Sequence, residues 1–253
     1  MLLADRNAVI YGGGGAIGSA VARAFAREGA RVHLVGRTRA RLDRVADEIR
    51  AAGGAAETAV LDALDEAAVD RHADMVAERF GGIDISFDLI SFGDVHGTPL
   101  AEMSPELFER PVVNAVRSLF LTARAAARHM VPAGSGVILT FGGDGGREPI
   151  RDYFIGGFQV ALEAMGTLRR QLAAELGPHG IRVVTLHTGG IPDTIPAAEP
   201  GREAITAMIV RKTMLGRAAT LDDVGNVAAF LASDRAASIT AASVNMTCGA
   251  VAD

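Results

Sequence analysis

Residues 8–18 read Ala8-Val9-Ile10-Tyr11-Gly12-Gly13-Gly14-Gly15-Ala16-Ile17-Gly18. Four apolar residues make a short strand, a run of glycines breaks it, and an Ala-rich helical pattern follows. Gly12 lets the chain turn sharply out of the strand, and Gly18 lets the helix pack close to the sheet. Free N–H groups at the start of such a helix face an anion, usually a pyrophosphate. Gly12, Gly15, Ile17 and Gly18 are therefore candidate dinucleotide contacts. A glycine-rich turn alone is a weak signal; between a first strand and a first helix it is a fairly strong one.

The same alternation continues outward. Short β-branched or apolar runs predict strands at 8–11, 31–35, 57–61, 84–90, 137–141, 182–186 and 243–246. Helical patterns lie between them at 17–28, 39–52, 66–80, 105–130, 158–176 and 221–232. Such alternation predicts an α/β fold: a doubly wound parallel sheet with helices on both faces. No linker or repeat interrupts it, so 1–253 reads as a single domain. The long irregular stretch 189–203 carries Pro192, Pro196 and Pro200. It reads as a substrate loop reaching about residue 213, with Ile191, Ile195, Ile205, Met208 and Ile209 as an apolar wall. The same residues also fit an amphipathic helix packed on its own core.

Composition narrows the function. With 49% apolar and 22% charged residues the chain is globular. A net charge of −5 gives no support for nucleic-acid or anionic-membrane binding. The single cysteine, Cys248, excludes an internal disulfide and a multi-cysteine metal site, and no metal is expected. No apolar run approaches a membrane span and the start lacks a signal-peptide pattern, so a cytoplasmic protein is the expectation. Of 25 basic residues only Lys212 is a lysine, and the 2 tyrosines, Tyr11 and Tyr153, are followed four positions on by Gly15 and Gly157. No tyrosine has a lysine four residues later.

The second strand ends Val35-Gly36-Arg37-Thr38-Arg39. An NAD(H) site would place a carboxylate here for the ribose 2′-hydroxyl. Arg37, with Arg39 nearby, instead suits a 2′-phosphate, which predicts NADP(H) over NAD(H). Asp62, just past the third strand, is placed either to accept from the adenine amine or to cap the next helix.

Over essentially its whole length the chain resembles the short-chain dehydrogenase/reductase family. Gly12–Gly18 is similar to TGxxxGxG, with Tyr11 for Thr and Ala16 for the middle Gly. Asp62 matches the adenine-contacting Asp, and Asn114 in PVVNAVRSLF the active-site Asn. Gly190 and Thr194 resemble PGxxxT, whose Thr contacts the nicotinamide end of the cofactor. The run LAAELGPHGIRVVTL (172–186) and the tail segments around Gly216-Arg217, 222–224, 230–234 and 239–240 also fit. The resemblance implies a seven-stranded Rossmann domain. It also implies a homotetramer or homodimer through the helices at 105–130 and 158–176; packing on the chain's own sheet is the alternative for those helices.

The departures concern chemistry. In the family a Tyr gives the carbonyl oxygen its proton, a Lys one helical turn on lowers the Tyr pKa, and a Ser holds the oxygen. The resemblance sets Phe158, Leu162 and Gly143 at those three places, and of the usual four residues it retains Asn114. NNAG appears as Asp88-Leu89-Ile90-Ser91. Loss of general acid–base help typically costs ~10²–10⁴ in rate. Tyr153 and Asp144 are the candidate stand-ins, with Arg147, Asp152, Asp88, Ser91, Asp94, His96 and His187 around them. The expectation is an NADP(H)-dependent oxidoreductase with a non-standard proton donor, acting on a small, moderately hydrophobic carbonyl, imine or enone. A non-redox enzyme (dehydration, cyclisation or isomerisation) and a catalytically silent nucleotide-binding protein are the alternatives.

Overall fold

The computed structural model of the protein describes residues 1–142 and 153–252. Its strands are β1 (Asn7–Tyr11), β2 (Arg31–Gly36), β3 (Ala55–Val60), β4 (Ile85–Asp88), β5 (Gly136–Gly142), β6 (Ile181–His187) and β7 (Ser243–Asn245). Its helices are α1 (Ala16–Arg27), α2 (Arg39–Ala51), α3 (Glu66–Phe80), α4 (Pro105–Ala133), α5 (Phe158–Leu176), α6 (Arg202–Arg211) and α7 (Leu221–Ala232). The strands form one sheet in the order β3-β2-β1-β4-β5-β6-β7. Every pairing is parallel. This is the doubly wound seven-stranded Rossmann-type sheet that the sequence predicts.

Both faces of the sheet are covered, which is why the central strands are apolar throughout. All five residues of β1 are buried. Ala8 and Ile10 join Phe25, Leu34, Leu42 and Val224 on one side. Val9 and Tyr11 join Val69, Leu119, Ile138 and Leu162 on the other. Period-two alternation along a strand thus feeds two cores.

Each expected strand and helix forms, with two informative differences. β4 stops at Asp88 rather than 90, because the Asp88 carboxylate accepts from the Ile90 amide at 3.0 Å and turns the chain. The stretch 189–213 is not all loop. A 3₁₀ turn at Pro192–Thr194 leads to α6, which starts beyond Pro200. Ile205, Met208 and Ile209 give α6 an i, i+3, i+4 apolar stripe, and Ile209 packs over Gly190.

Candidate active site

The helix starts divide into capped and uncapped ones. Asp65 caps α3, Ser104 caps α4, and Thr220 with Asp223 forms a capping box on α7. α1 opens on Gly15 with no side-chain cap and no acidic residue in its first turn, as α2 and α5 also do, and it alone of these three follows the glycine turn at the end of β1. Its first amides are left for another acceptor. The turn before it is fixed to β2, with the Gly12 and Gly13 amides donating to the Val35 carbonyl at 2.9 and 3.1 Å. Gly12 has φ +81°, and a Cβ there would collide with the Leu89 carbonyl. A Cβ on Gly18 would collide with the Gly12 carbonyl. Gly15 and Ala16 are exposed, and Ile17 half-buries its side chain against the core.

Beyond β2 the basic residues separate by role. Arg39 is engaged, with Asp43 at 3.9 Å and the Thr58 hydroxyl at 3.4 Å. Elsewhere Arg124 and Arg128 bind Glu66, Asp70 and Asp74 and tie α4 to α3. Arg37 is exposed and has no ion pair or hydrogen bond among the described residues. Arg41, equally exposed and also unpaired among the described residues, lies four positions on in the first turn of α2; its Cβ is 3.0 Å from where a Cβ of Gly14 would sit. Sequence reasoning singled out Arg37 and Arg39 and missed Arg41. Asp62 is exposed, and one of its oxygens accepts from the Leu64 amide at 3.0 Å. The cap of α3 is Asp65, not Asp62.

The strand order reverses between β1 and β4, and ligands bind at the carboxyl ends of such strands. Gly12 abuts Leu89 there, so the glycine turn and the loop after β4 share one edge. Asp88 is buried, its Oδ2 has no partner, and burial raises its pKa from 3.8 to about 6. The Ile90 amide and the Ser118 hydroxyl pull in the opposite direction, yet neither bonds Oδ2.

The loop after β4 is pinned from α4. Asn114 donates to the Phe92 carbonyl at 3.0 Å and Arg110 to the Gly93 carbonyl at 3.0 Å. It is also stitched to the chain before α5, with the Gly97 amide donating to the Phe154 carbonyl at 2.8 Å. Gly157 packs so closely on the Phe108 carbonyl that a Cβ would not fit. These contacts bring three side chains into line. His96 Nε2 lies 2.6 Å from Asp94 Oδ2, and His96 Nδ1 lies 3.0 Å from the Tyr153 hydroxyl. The imidazole also stacks edge-on to Phe158, with centroids 5.8 Å apart, and Phe158 meets Phe92 at 5.9 Å. Sequence reading named Asp94, His96 and Tyr153 separately; their alignment depends on two loops meeting, which spacing does not encode.

Tyr11 is 1% exposed, and burial, with Asp88 and Asp70 nearby, pushes its phenol pKa well up. That removes it as a donor to a ligand and leaves Tyr153, which is 48% exposed. Leu162 is buried in the α5 core one turn beyond Phe158. Asp144, Gly143, Arg147 and Asp152 lie outside the described residues. Thr194 is exposed and its hydroxyl donates to the Ile191 carbonyl at 2.8 Å. Gly190 makes room for Ile209. Ile191, expected in the pocket wall, is 5% exposed in the core, since the backbone turns it inward ahead of the 3₁₀ turn. His187 is buried at the end of β6.

Residues 14–250 match the family model described as enoyl-(acyl carrier protein) reductase. The A-factor type γ-butyrolactone 1′-reductase (1S-forming) of Streptomyces virginiae is 32% identical over 246 residues, covering 94% of this chain and 93% of that protein. A short chain dehydrogenase of Burkholderia cenocepacia, solved in complex with NADP, has a TM-score of 0.84 at 27% identity and covers 99% of both chains. A 7α-hydroxysteroid dehydrogenase, solved with NADH and 7-oxoglycochenodeoxycholic acid, has a TM-score of 0.86 at 26% identity, covering 98% of this chain and 94% of that one.

Proposed function

This chain belongs to the short-chain dehydrogenase/reductase family of oxidoreductases, and on that premise we propose that it is an NADP(H)-dependent member with an unusual proton donor. Its substrate is a small, moderately hydrophobic carbonyl, imine or enone. One relative was solved with NADP and another with NADH, so the choice of cofactor rests on this chain's own residues. The observation that carries NADP(H) is the pair of exposed, unpaired guanidinium groups of Arg37 and Arg41 beside the uncapped glycine turn. No carboxylate occurs in 36–41 to accept from a 2′-hydroxyl. Two free guanidiniums and an uncapped helix start fit a phosphorylated dinucleotide. The amides around Gly15 and Ile17 hold its pyrophosphate, Arg37 and Arg41 its 2′-phosphate, and Asp62 its adenine amine. When bound, NADP(H) supplies or takes up the hydride.

Phe158 and Leu162 carry no titratable proton and no charge. Tyr153 supplies the proton instead, with its hydroxyl held by His96 at 3.0 Å. Asn114 keeps the loop that bears His96 in place through Phe92. Ile205 and Met208 on α6, with Phe154 at 53% exposure, offer the apolar surface that suits such a substrate. Val113 and Phe120 on α4 and Val160 on α5, 56%, 46% and 46% exposed, form the contact with a second copy in a homodimer or homotetramer.

The test is a cofactor titration of Arg37→Asp. Charge-assisted bonds to phosphate are worth roughly 1.5–3 kcal/mol, so NADPH affinity falls ~10²-fold while NADH affinity holds or rises. Unchanged NADPH affinity ends the assignment. The second reading is a non-redox proton-transfer enzyme, favoured by the two inert side chains at the start of α5. Tight NADPH binding without turnover across carbonyls, imines and enones supports it.

A further inference from the structure

We propose that Asp94 and His96 form a proton relay that orients and recharges Tyr153. The inference rests on the reading of Tyr153 as proton donor and extends it to two residues that act through that phenol.

The geometry defines the relay. Asp94 Oδ2 lies 2.6 Å from His96 Nε2 as an ion-pair contact. A carboxylate beside Nε2 favours the proton of the neutral ring on that nitrogen, and Nδ1 is then the acceptor that faces the Tyr153 hydroxyl, 3.0 Å away. A carboxylate on one ring nitrogen thus fixes which nitrogen faces the phenol. The ring is held on its other sides by Phe158 at 5.8 Å and by Tyr153, edge-on at 5.2 Å. Among the described residues Asp94 is the one charged group paired with it.

Phe158 stands where the family resemblance places the catalytic phenol, so His96 sits against that place. It brings a proton from the loop after β4, whereas the family's lysine acts from within the helix. The protons balance in the reducing direction. The phenol O–H gives its proton to the substrate oxygen as negative charge develops there. The imidazolium Nδ1–H then returns a proton to the phenolate oxygen, and Nε2 keeps its proton beside Asp94. The imidazole side chain is 33% exposed, so a hydronium ion or buffer acid from solvent restores the ring proton. In the oxidising direction each transfer runs backwards, with His96 taking the phenol proton. Asp94 and His96 are positioning residues, and Tyr153 is the catalytic residue.

Two readouts test the relay. The first needs neither substrate nor cofactor: ¹⁵N NMR of His96 in the full-length protein. The neutral ring is expected as the Nε2–H tautomer in wild type and as a tautomer mixture in Asp94→Asn. An Nδ1–H tautomer in wild type, or a spectrum unaltered by Asp94→Asn, overturns the proposal. The second is steady-state reduction by Tyr153→Phe, His96→Gln and Asp94→Asn, with NADPH affinity measured alongside. Losing general-acid recharging lowers kcat of His96→Gln by ~10²-fold while KM and NADPH affinity stay within about 2-fold. Free imidazole should recover part of the rate in His96→Gly. Wild-type kcat in His96→Gln, with Tyr153→Phe inactive, removes the relay and leaves the donor. Wild-type kcat in Tyr153→Phe removes the donor reading itself.

Discussion

Replacing Asp88 by Asn raises stability more at pH 8 than at pH 4, by about 2.5 kcal/mol. Asp88 is 3% exposed, its Oδ2 has no partner, and burial moves its pKa from 3.8 to about 6. That displacement corresponds to about 3 kcal/mol against the ionised form in the folded state. The sign follows from proton linkage. Below 3.8 the carboxyl is neutral folded and unfolded, and nothing is lost. Between 3.8 and about 6 the unfolded chain ionises first, so stability falls as pH rises. Above about 6 the full cost is present. Asn keeps an oxygen to accept from the Ile90 amide and carries no charge. Its N–H groups subtract about 1–3 kcal/mol if they find no acceptor, equally at every pH. Guanidinium unfolding of both proteins between pH 4 and 8 measures the gain at each pH. The difference between them should grow by about 2.5 kcal/mol across that range. A difference that stays flat, or shrinks as pH rises, refutes the account of Asp88.

Two further perturbations probe the frame around the site. Gly18→Ala drives a methyl into the Gly12 carbonyl; overpacking of this kind costs about 1–3 kcal/mol, and thermal unfolding and NADPH binding should both register it. His33 is 1% exposed with both ring nitrogens unpartnered, and burial, then His72 and Arg31, lower its pKa from 6.5 to about 4. Stability from a neutral buried His33 is present above 6.5 and is lost as pH falls toward 4, by about 3 kcal/mol. His33→Leu should therefore lose less stability than wild type between pH 7 and 4.5 in urea unfolding; equal losses would argue against it.

The sheet and the cofactor end of the site were legible because they are written in local pattern. Val9 and Ile10 alternate between two cores, and Gly12 and Gly18 fall where a side chain cannot fit. α6 was harder: Pro192, Pro196 and Pro200 dominate the reading of its approach, and its apolar stripe spans little more than a turn. Arg41 was hidden by an Arg-rich surface in which free and paired guanidiniums look alike. The alignment of Asp94, His96 and Tyr153 had no linear signal. It arises because the Gly97 amide bonds the Phe154 carbonyl and closes two loops that lie far apart along the chain. The absence of a Tyr-x-x-x-Lys pair was readable from composition alone; the buried position of Tyr11, which leaves Tyr153 as the accessible phenol, was not.

The most direct test of hydride transfer with Tyr153 as donor follows a label. Wild type and Tyr153→Phe are incubated with NADPH carrying deuterium at the nicotinamide C4 and a panel of carbonyls, imines and enones, and products are analysed by mass spectrometry. The account predicts deuterium on product carbon with wild type and a rate at least ~10²-fold lower with Tyr153→Phe. Label retained on NADPH across the panel, or equal transfer by the two proteins, would contradict it.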